Sequence, residues 1–272
     1  MYKQIKAYLN YYWQSDSKYQ AHSPLLYQLS KFVVEPNTPV VAEAQIEAIR
    51  KQLSGDTTNI DFKEYGAGSD ANKQPRKTVA SIAKSSLSRL AQCRQLSRLV
   101  SAYKPKHILE MGTSLGVSAL YMAKAYPQST IHTLEGDPTV AGIAQAQFDS
   151  VQAKNIKLSL GQFENILECT LTKMQQVDMA FIDGNHKYAP TIKYFETILP
   201  YCTSSTILIF DDIHWSDEME EAWLAIQKHK SVTMTVDLFH MGIAFLSDDI
   251  KLKRHHRLIE WRKKPWKIGL FG

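Results

Sequence analysis

His107-Ile-Leu-Glu-Met-Gly-Thr-Ser-Leu-Gly-Val-Ser118 is an apolar strand pattern that runs into a glycine-rich turn and then a helix. Residues 106–109 read as the end of a buried strand, with Glu110 where that strand stops. Gly112 and Gly116 lack a Cβ, so the backbone there can turn tightly and come close to a ligand. From 117 to 125 the spacing of apolar residues becomes helical. Such a loop offers free backbone N–H groups at a helix start, which suits a polar or anionic ligand.

Three later apolar runs also end in acids. Residues 129–134 lead into Glu135-Gly-Asp137, 177–182 into Asp183-Gly-Asn-His186, and 206–210 into Asp211-Asp212-Ile-His214. Continuous apolar runs alternating with helical stretches indicate a parallel sheet covered on both faces. In open α/β sheets ligands bind at the carboxyl ends of the strands. The expected fold is α/β, a Rossmann-like doubly wound sheet, mostly parallel. An antiparallel hairpin from 232–238 and 241–246 completes it, because only Phe239 and His240 separate those runs.

A length of 272 residues fits one large domain or a domain with an added subdomain. Hydrophobic content of 44% and charged content of 22% are those of an ordinary globular protein. No apolar run approaches the ~20 residues that span a bilayer, and the N-terminus lacks the apolar core of a secretion signal. Cys93, Cys169 and Cys202 are scattered without metal-ligand spacing, which reads as reduced thiols in a cytoplasmic protein. The net charge of +5 gathers toward 251–257 and 262–267. Basic residues among tryptophans can contact phosphates, but so modest a whole-chain charge favours a solvated face with a packed Trp. Three regions result: an N-terminal helical region and loop over 1–103, a cofactor domain over 104–250, and a basic C-terminal tail over 251–272. The first carries Tyr8, Tyr11, Tyr12 and Trp13, a continuous helical pattern over 79–103, and a Gly-containing loop at Tyr65 to Asp70. The aromatics and the loop are the candidate substrate wall and lid.

Glu135 follows the glycine loop by about twenty residues, where an acid commonly accepts hydrogen bonds from ribose hydroxyls. NAD enzymes carry G-x-G-x-x-G after the strand, to approach a pyrophosphate. Here the pattern is Glu110-x-Gly112-x-x-x-Gly116. An acid at that place repels a pyrophosphate and suits a cofactor with a cationic amino-acid end.

Taken together, these motifs resemble the class I S-adenosylmethionine-dependent methyltransferases, and most of all the metal-dependent O-methyltransferases of the catechol and sugar-modifying types. The likeness covers about 104–246. It implies that Glu110, Gly112, Thr113, Ser114, Gly116 and Ser118 hold the methionine end of S-adenosyl-L-methionine and Glu135 its ribose. Gly161, Gln162 and Phe163 fall where the family meets adenine, although Phe163 could equally be core. Asp183, bordering the cofactor, falls with Asp211 and Asp212 on the family's metal positions. Three converging carboxylates repel one another, and a hard divalent cation such as Mg²⁺ relieves that repulsion. The catechol branch has Asp-Asn where this chain has Asp211-Asp212, which is nearer the sugar-modifying branch. His186 stands where the sugar enzymes have their base, with Lys187 as the fallback.

The implied activity is methyl transfer to a hydroxyl of a small molecule. Nucleic-acid methylation is the alternative within the fold, but the Pro-Pro-aromatic signature that holds a flipped base is missing after Asp183. A non-catalytic methyltransferase-like binding protein is the second alternative. The aromatic N-terminal region makes a homodimer a further expectation.

Overall fold

A computed structural model describes residues 2–35, 37–61, 76–250 and 253–267. The chain opens with helices α1 (Tyr2–Gln14), α2 (Pro24–Gln28) and α3 (Glu43–Gly55). Ser23 caps α2 by accepting the Leu26 N–H at 3.2 Å, with Pro24 in the first turn, the chemistry that the Ser-Pro pair predicts. A short antiparallel ribbon, β1 (Asn59–Asp61) and β2 (Arg76–Thr78), leads to α4 (Val79–Ser86) and α5 (Leu90–Tyr103).

The single helix expected over 79–103 is therefore two. Leu87 leaves the helical region at φ −81° and ψ 128°, and Arg89 is extended at ψ 150°. Ser85, Ser86 and Ser88 surround the break, and serine hydroxyls compete with the backbone for its hydrogen bonds. Ser85 Oγ, for one, donates to the Ser81 carbonyl at 3.1 Å. The break sends the start of α5 toward the functional end of the sheet.

Strand and helix then alternate: β3 (His107–Met111), α6 (Val117–Ala125), β4 (Thr130–Glu135), α7 (Pro138–Ser150), β5 (Ile156–Leu160), α8 (Phe163–Met174), β6 (Val177–Ile182), α9 (Tyr188–Ile198), β7 (Cys202–Asp211) and α10 (Asp217–Lys228). β8 (Met234–Asp237), β9 (Met241–Phe245) and β10 (Arg254–Arg257) follow. The eight-stranded sheet has the order β10-β8-β9-β7-β6-β3-β4-β5. β3 to β7 are mutually parallel, and β9 is inserted antiparallel between β7 and β8, as the expected hairpin requires. Winding reverses between β3 and β6, so the crevice for a ligand opens at their carboxyl ends.

Alternate residues feed the two cores, which the pleat dictates. Ile108, Phe181 and Ile209 face Leu96 and Leu99 of α5. Leu109, Leu208 and Phe210 face Leu171, Phe195 and Trp223.

The basic stretch expected as a solvated tail adds β10 to the sheet edge, parallel to β8. Two of its side chains find partners there: Arg257 Nε lies 3.5 Å from Asp237, and Thr235 Oγ1 meets His255 Nδ1 at 2.9 Å. Beyond it the chain grips α1. Tyr11 donates its hydroxyl proton to the Leu258 carbonyl, and Tyr12 does so to Lys263 at 2.8 Å. Lys264 is buried, its ammonium donating to the Ser15 carbonyl at 2.8 Å and to Trp13 at 3.2 Å. Among the described residues no helix is long and apolar enough to cross a membrane.

Candidate active site

The glycine loop is built by close backbone contacts. Gly112 and Thr113 both donate to the Leu134 carbonyl at 3.1 Å, tying the loop to β4. Gly112 has φ +100°, and a Cβ there would lie 2.1 Å from the Asp183 carbonyl oxygen. Gly116 has φ +85° at the start of α6, where a Cβ would meet the Phe148 ring at 2.6 Å. Both positions exclude every side chain, by conformation and by space. Between them Ser114 sits at φ +47° and donates its N–H to Glu135 Oε2 at 2.9 Å.

Two carboxylates flank this loop. Glu135, at the end of β4, also accepts the Asp137 N–H at 3.0 Å. Burial raises its pKa, and the backbone N–H groups of Asp137 and Ser114 oppose the rise. Glu110 lies one residue short of the end of β3 and is completely buried. Its Oε2 accepts from Thr133 Oγ1 at 2.6 Å, while Oε1 has no hydrogen-bond partner. Burial pushes the Glu110 carboxyl up to about 7, opposed by the Ser118 and Thr133 hydroxyls and helped by Asp183 and Glu135. A buried acid with one idle oxygen is a receptor for a cation or a donor.

That shift has a consequence for stability. The unfolded carboxyl ionises near 4.5 and the folded one near 7. The folded chain therefore holds an extra proton between these values, and stability falls as pH rises through them. Glu110→Gln is expected to abolish that fall and to stabilise the protein above pH 7 by a few kcal/mol, at about 1.4 kcal/mol per unit. Thermal melts of both proteins across this range check it, and parallel curves would contradict it.

A second cluster stands across the switch point. Asp183 follows β6, Asp211 ends β7, and Asp212 comes next with φ +50°, its N–H donating to the His240 carbonyl at 2.7 Å. Burial raises all three carboxyls. Asp183 reaches about 6, with Asp212 adding and His186 opposing. Asp211 rises well above its ordinary value, with Asp183 and Asp212 adding. Asp212 rises too, against the pull of His186 and Arg89. His186 Nε2 lies 3.5 Å from Asp183 Oδ1, and Lys187 is exposed beside it at the cap of α9.

The donor set fits a hard divalent cation: all oxygens, and carboxyls that are costly to ionise together. Among the described residues, however, no three His, Cys, Asp or Glu groups stand in metal-holding geometry.

Gly161 hydrogen-bonds the Glu135 carbonyl at 2.8 Å, Gln162 is exposed, and Phe163 is half-buried. The Phe163 ring lies against Gly184, where a Cβ would come within 2.4 Å of it, and meets Tyr194 edge-on at 5.9 Å. Phe163 thus also packs against the core on that face of the sheet.

Other neighbours complete the surroundings of the site. Gln92, buried in the first turn of α5, donates its amide to Asp211 Oδ1 and accepts the Arg89 N–H at 3.0 Å. The only signal is a Gln three residues after a break in helical pattern. His214 bridges Glu220 and Asp237, both at 3.0 Å, and stacks on Phe239 at 5.3 Å. Burial pulls its pKa down, but the two carboxylates outweigh that and raise it. A cavity of about 310 Å³ opens from Asp212 past His214 and Phe239 to Ile5, Tyr8 and Leu9 of α1. The aromatic N-terminal helix is thus one wall of the space beside the acids. The Tyr65 to Asp70 loop, the expected lid, lies outside the described residues.

Residues 109–213 match the family described as a methyltransferase domain. A catechol O-methyltransferase of Niastella koreensis is 31% identical over 121 residues, 43% of this chain and 54% of that protein. A human transmembrane O-methyltransferase is 35% identical over 86 residues, covering 29% of this chain and 28% of that protein. The chain thus spans about half the length of the first curated relative and less of the second. Among solved structures, a Podospora anserina methyltransferase bound to S-adenosylhomocysteine superposes with a TM-score of 0.54 at 18% identity, over 76% of this chain and 97% of that one. An O-methyltransferase from Bacillus cereus, also with S-adenosylhomocysteine, gives 0.51 at 18% over 60% and 84%. The glycine loop at the switch point, the acid after each of four strands and the inserted antiparallel strand thus stand in a fold shared with these solved methyltransferases, within which residues 109–213 are similar to a methyltransferase domain.

Proposed function

We propose that this protein is an S-adenosylmethionine-dependent O-methyltransferase that acts on a hydroxyl of a small molecule with the help of Mg²⁺. The observation that carries the proposal is the pairing of a cofactor cradle with an acid-lined cavity at one switch point. Glu135 and the loop 112–116 form the cradle; Asp212 and the wall of α1 bound the cavity. S-adenosylmethionine supplies an electrophilic methyl on a sulfonium, and a divalent cation supplies Lewis-acid activation of the hydroxyl.

The rest falls to side chains. Glu135, fixed by the Ser114 and Asp137 N–H groups, accepts the ribose hydroxyls. Glu110, with its idle Oε1, takes the charge of the methionine ammonium, aided by Thr113 and Ser118 at the start of α6. Gly161, Gln162 and Phe163 border the adenine. Asp183, Asp211 and Asp212 would hold the metal, and Gln92 donates its amide to Asp211. His186, oriented by Asp183, receives the hydroxyl proton at its imidazole, with Lys187 next in line. Ile5, Tyr8, Leu9 and Phe239 exclude water from the acceptor, so that rate comes from positioning. The three free thiols suit a cytoplasmic setting.

Calorimetric titration with S-adenosylhomocysteine, first with Mg²⁺ and then with EDTA, tests the cofactor half. Micromolar affinity in both conditions is expected, and no binding in either would overturn the reading. Glu135→Ala is expected to weaken binding about tenfold to a hundredfold, since hydrogen bonds to a charged acceptor contribute roughly 1.5–3 kcal/mol. Unchanged affinity would displace the ribose from Glu135.

A further inference from the structure

One exposed stripe of α1 is apolar, between the exposed polar residues Gln4, Lys6, Asn10 and Gln14. Ile5, Leu9 and Trp13 are 52%, 50% and 67% exposed, with Tyr8 at 38%. With Tyr12 they fall at i, i+3, i+4, i+7 and i+8, the spacing of one helical stripe. The side of the helix held by the protein adjoins this stripe: Tyr11 is buried and bonded to Leu258, and Tyr8 and Tyr11 both pack on Phe239, at 4.9 and 5.4 Å. Nor can the helix roll its apolar stripe inward, because Tyr12 and the Trp13 and Ser15 carbonyls are pinned to Lys263 and Lys264. The stripe continues onto the last turns of the described chain, where Trp266, 51% exposed, meets Tyr12 at 5.9 Å.

The charge around this stripe has one dominant sign. α1 has lysines at 3 and 6 and no acid in its thirteen residues. Arg262 and Lys263 are exposed beside Trp266, against the single Glu260 that lies 4.0 Å from Arg262. Glu35 accepts the Trp261 N–H at 3.3 Å and pairs with Lys18 at 3.9 Å, and further acids stand across the cavity mouth, on the first turn of α10. An apolar stripe with aromatic residues at its end and cations along its flank is the composition of a helix that lies in a membrane interface. The cations select an anionic surface.

We propose that α1 and residues 261–267 dock this protein onto an anionic lipid bilayer, with the stripe in the headgroup layer. Ile5, Tyr8 and Leu9 belong both to the stripe and to the cavity wall, so the cavity opens at the membrane surface. The acceptor hydroxyl then arrives from the bilayer, on an amphiphilic or lipid-borne molecule.

Co-sedimentation of the whole protein tests this, using vesicles of phosphatidylcholine alone and of phosphatidylcholine with phosphatidylglycerol. Binding is expected to the anionic vesicles only, and to weaken as salt is raised. Trp13→Glu and Lys6→Glu alter exposed residues outside the cavity, and each is expected to cut vesicle binding about tenfold while S-adenosylhomocysteine affinity stays as it was. No binding to either vesicle, equal binding to both, or binding untouched by these variants would overturn the proposal. So would a dimer seen by light scattering that Trp13→Glu dissolves, since a second copy would then cover the stripe. Cofactor titration of the same samples separates these failures from a failure of the methyltransferase reading.

Discussion

Asp183→Asn is expected to slow methyl transfer about a thousandfold and, above pH 6, to raise the melting temperature of the free protein. The first effect follows from the loss of one of three oxygen donors, where activation by a metal contributes several kcal/mol, and about 4 kcal/mol is a factor of a thousand. The second follows from the cluster itself. Burial and the neighbouring Asp212 raise Asp183 to about 6, and Asp183 in turn raises Asp211. An acid whose folded pKa lies above its unfolded one destabilises the fold once pH passes the unfolded value, here 3.8, and does so fully above 6. The amide removes that cost, so the gain in melting temperature appears above pH 6 and vanishes toward 3.8. S-adenosylhomocysteine affinity should not change, and binding of Mn²⁺ as a paramagnetic stand-in for Mg²⁺ should be lost. Full turnover in the variant would remove the metal from the proposed chemistry; a lowered melting temperature above pH 6 would show that the three acids do not repel one another as placed.

Gly112→Ala is expected to do the largest damage of any single methyl group. The added carbon would sit 2.1 Å from the Asp183 carbonyl oxygen, a backbone atom that no side-chain rotation can move. Its φ of +100° adds strain of about 1–3 kcal/mol. Overpacking adds about as much again. Together they take about 2–6 kcal/mol from a total that is ordinarily about 5–15 kcal/mol. Melting should fall by roughly 10 °C, at about 2–4 °C per kcal/mol for a chain of this size. Cofactor affinity should fall with it, because relief of the clash moves the loop away from Asp183. Gly142→Ala is the control: nothing lies within 4 Å of a Cβ there, and the residue is inside α7. It should stabilise by about 1 kcal/mol. If both variants melt alike, the close approach at Gly112 is not what holds the loop.

Much of this site was legible before any coordinates. An apolar run with an acid at its end, met four times, is enough to place Glu135, Asp183, Asp211 and Asp212 at one edge of a parallel sheet. Periodicity fixes the strands, and the chain must then bring their ends together. Glu110 was legible as an acid of the loop, but not as a fully buried one, because burial depends on α6 and β4 closing over it. Gln92 was hidden because the break before α5 is made by serines, which bear no fixed signal in the middle of a helical pattern. Phe239 was hidden for a different reason. It takes φ +71° in the β8–β9 turn, a conformation ordinarily left to Gly or Asn, so no turn residue announces it. Lys264 reads as a solvent residue, and the carbonyls that bury it come from Trp13 and Ser15 at the far end of the sequence.

That last contact sets an order of folding. The β3 to β7 units pair over shorter separations, His107 with Thr130 and Ile108 with Met179 for example, and can form before the two ends of the described chain meet. The clasp between α1 and the residues after β10 joins positions 247 and 249 residues apart. It needs β8 and β9 in place before β10 can pair, and it closes the largest loop the described chain contains, which makes its formation slow. The crevice at the switch point therefore matures early and the wall made by α1 last. By the same token the wall is the first part to open, and amide hydrogens of α1 should exchange well before those of β3.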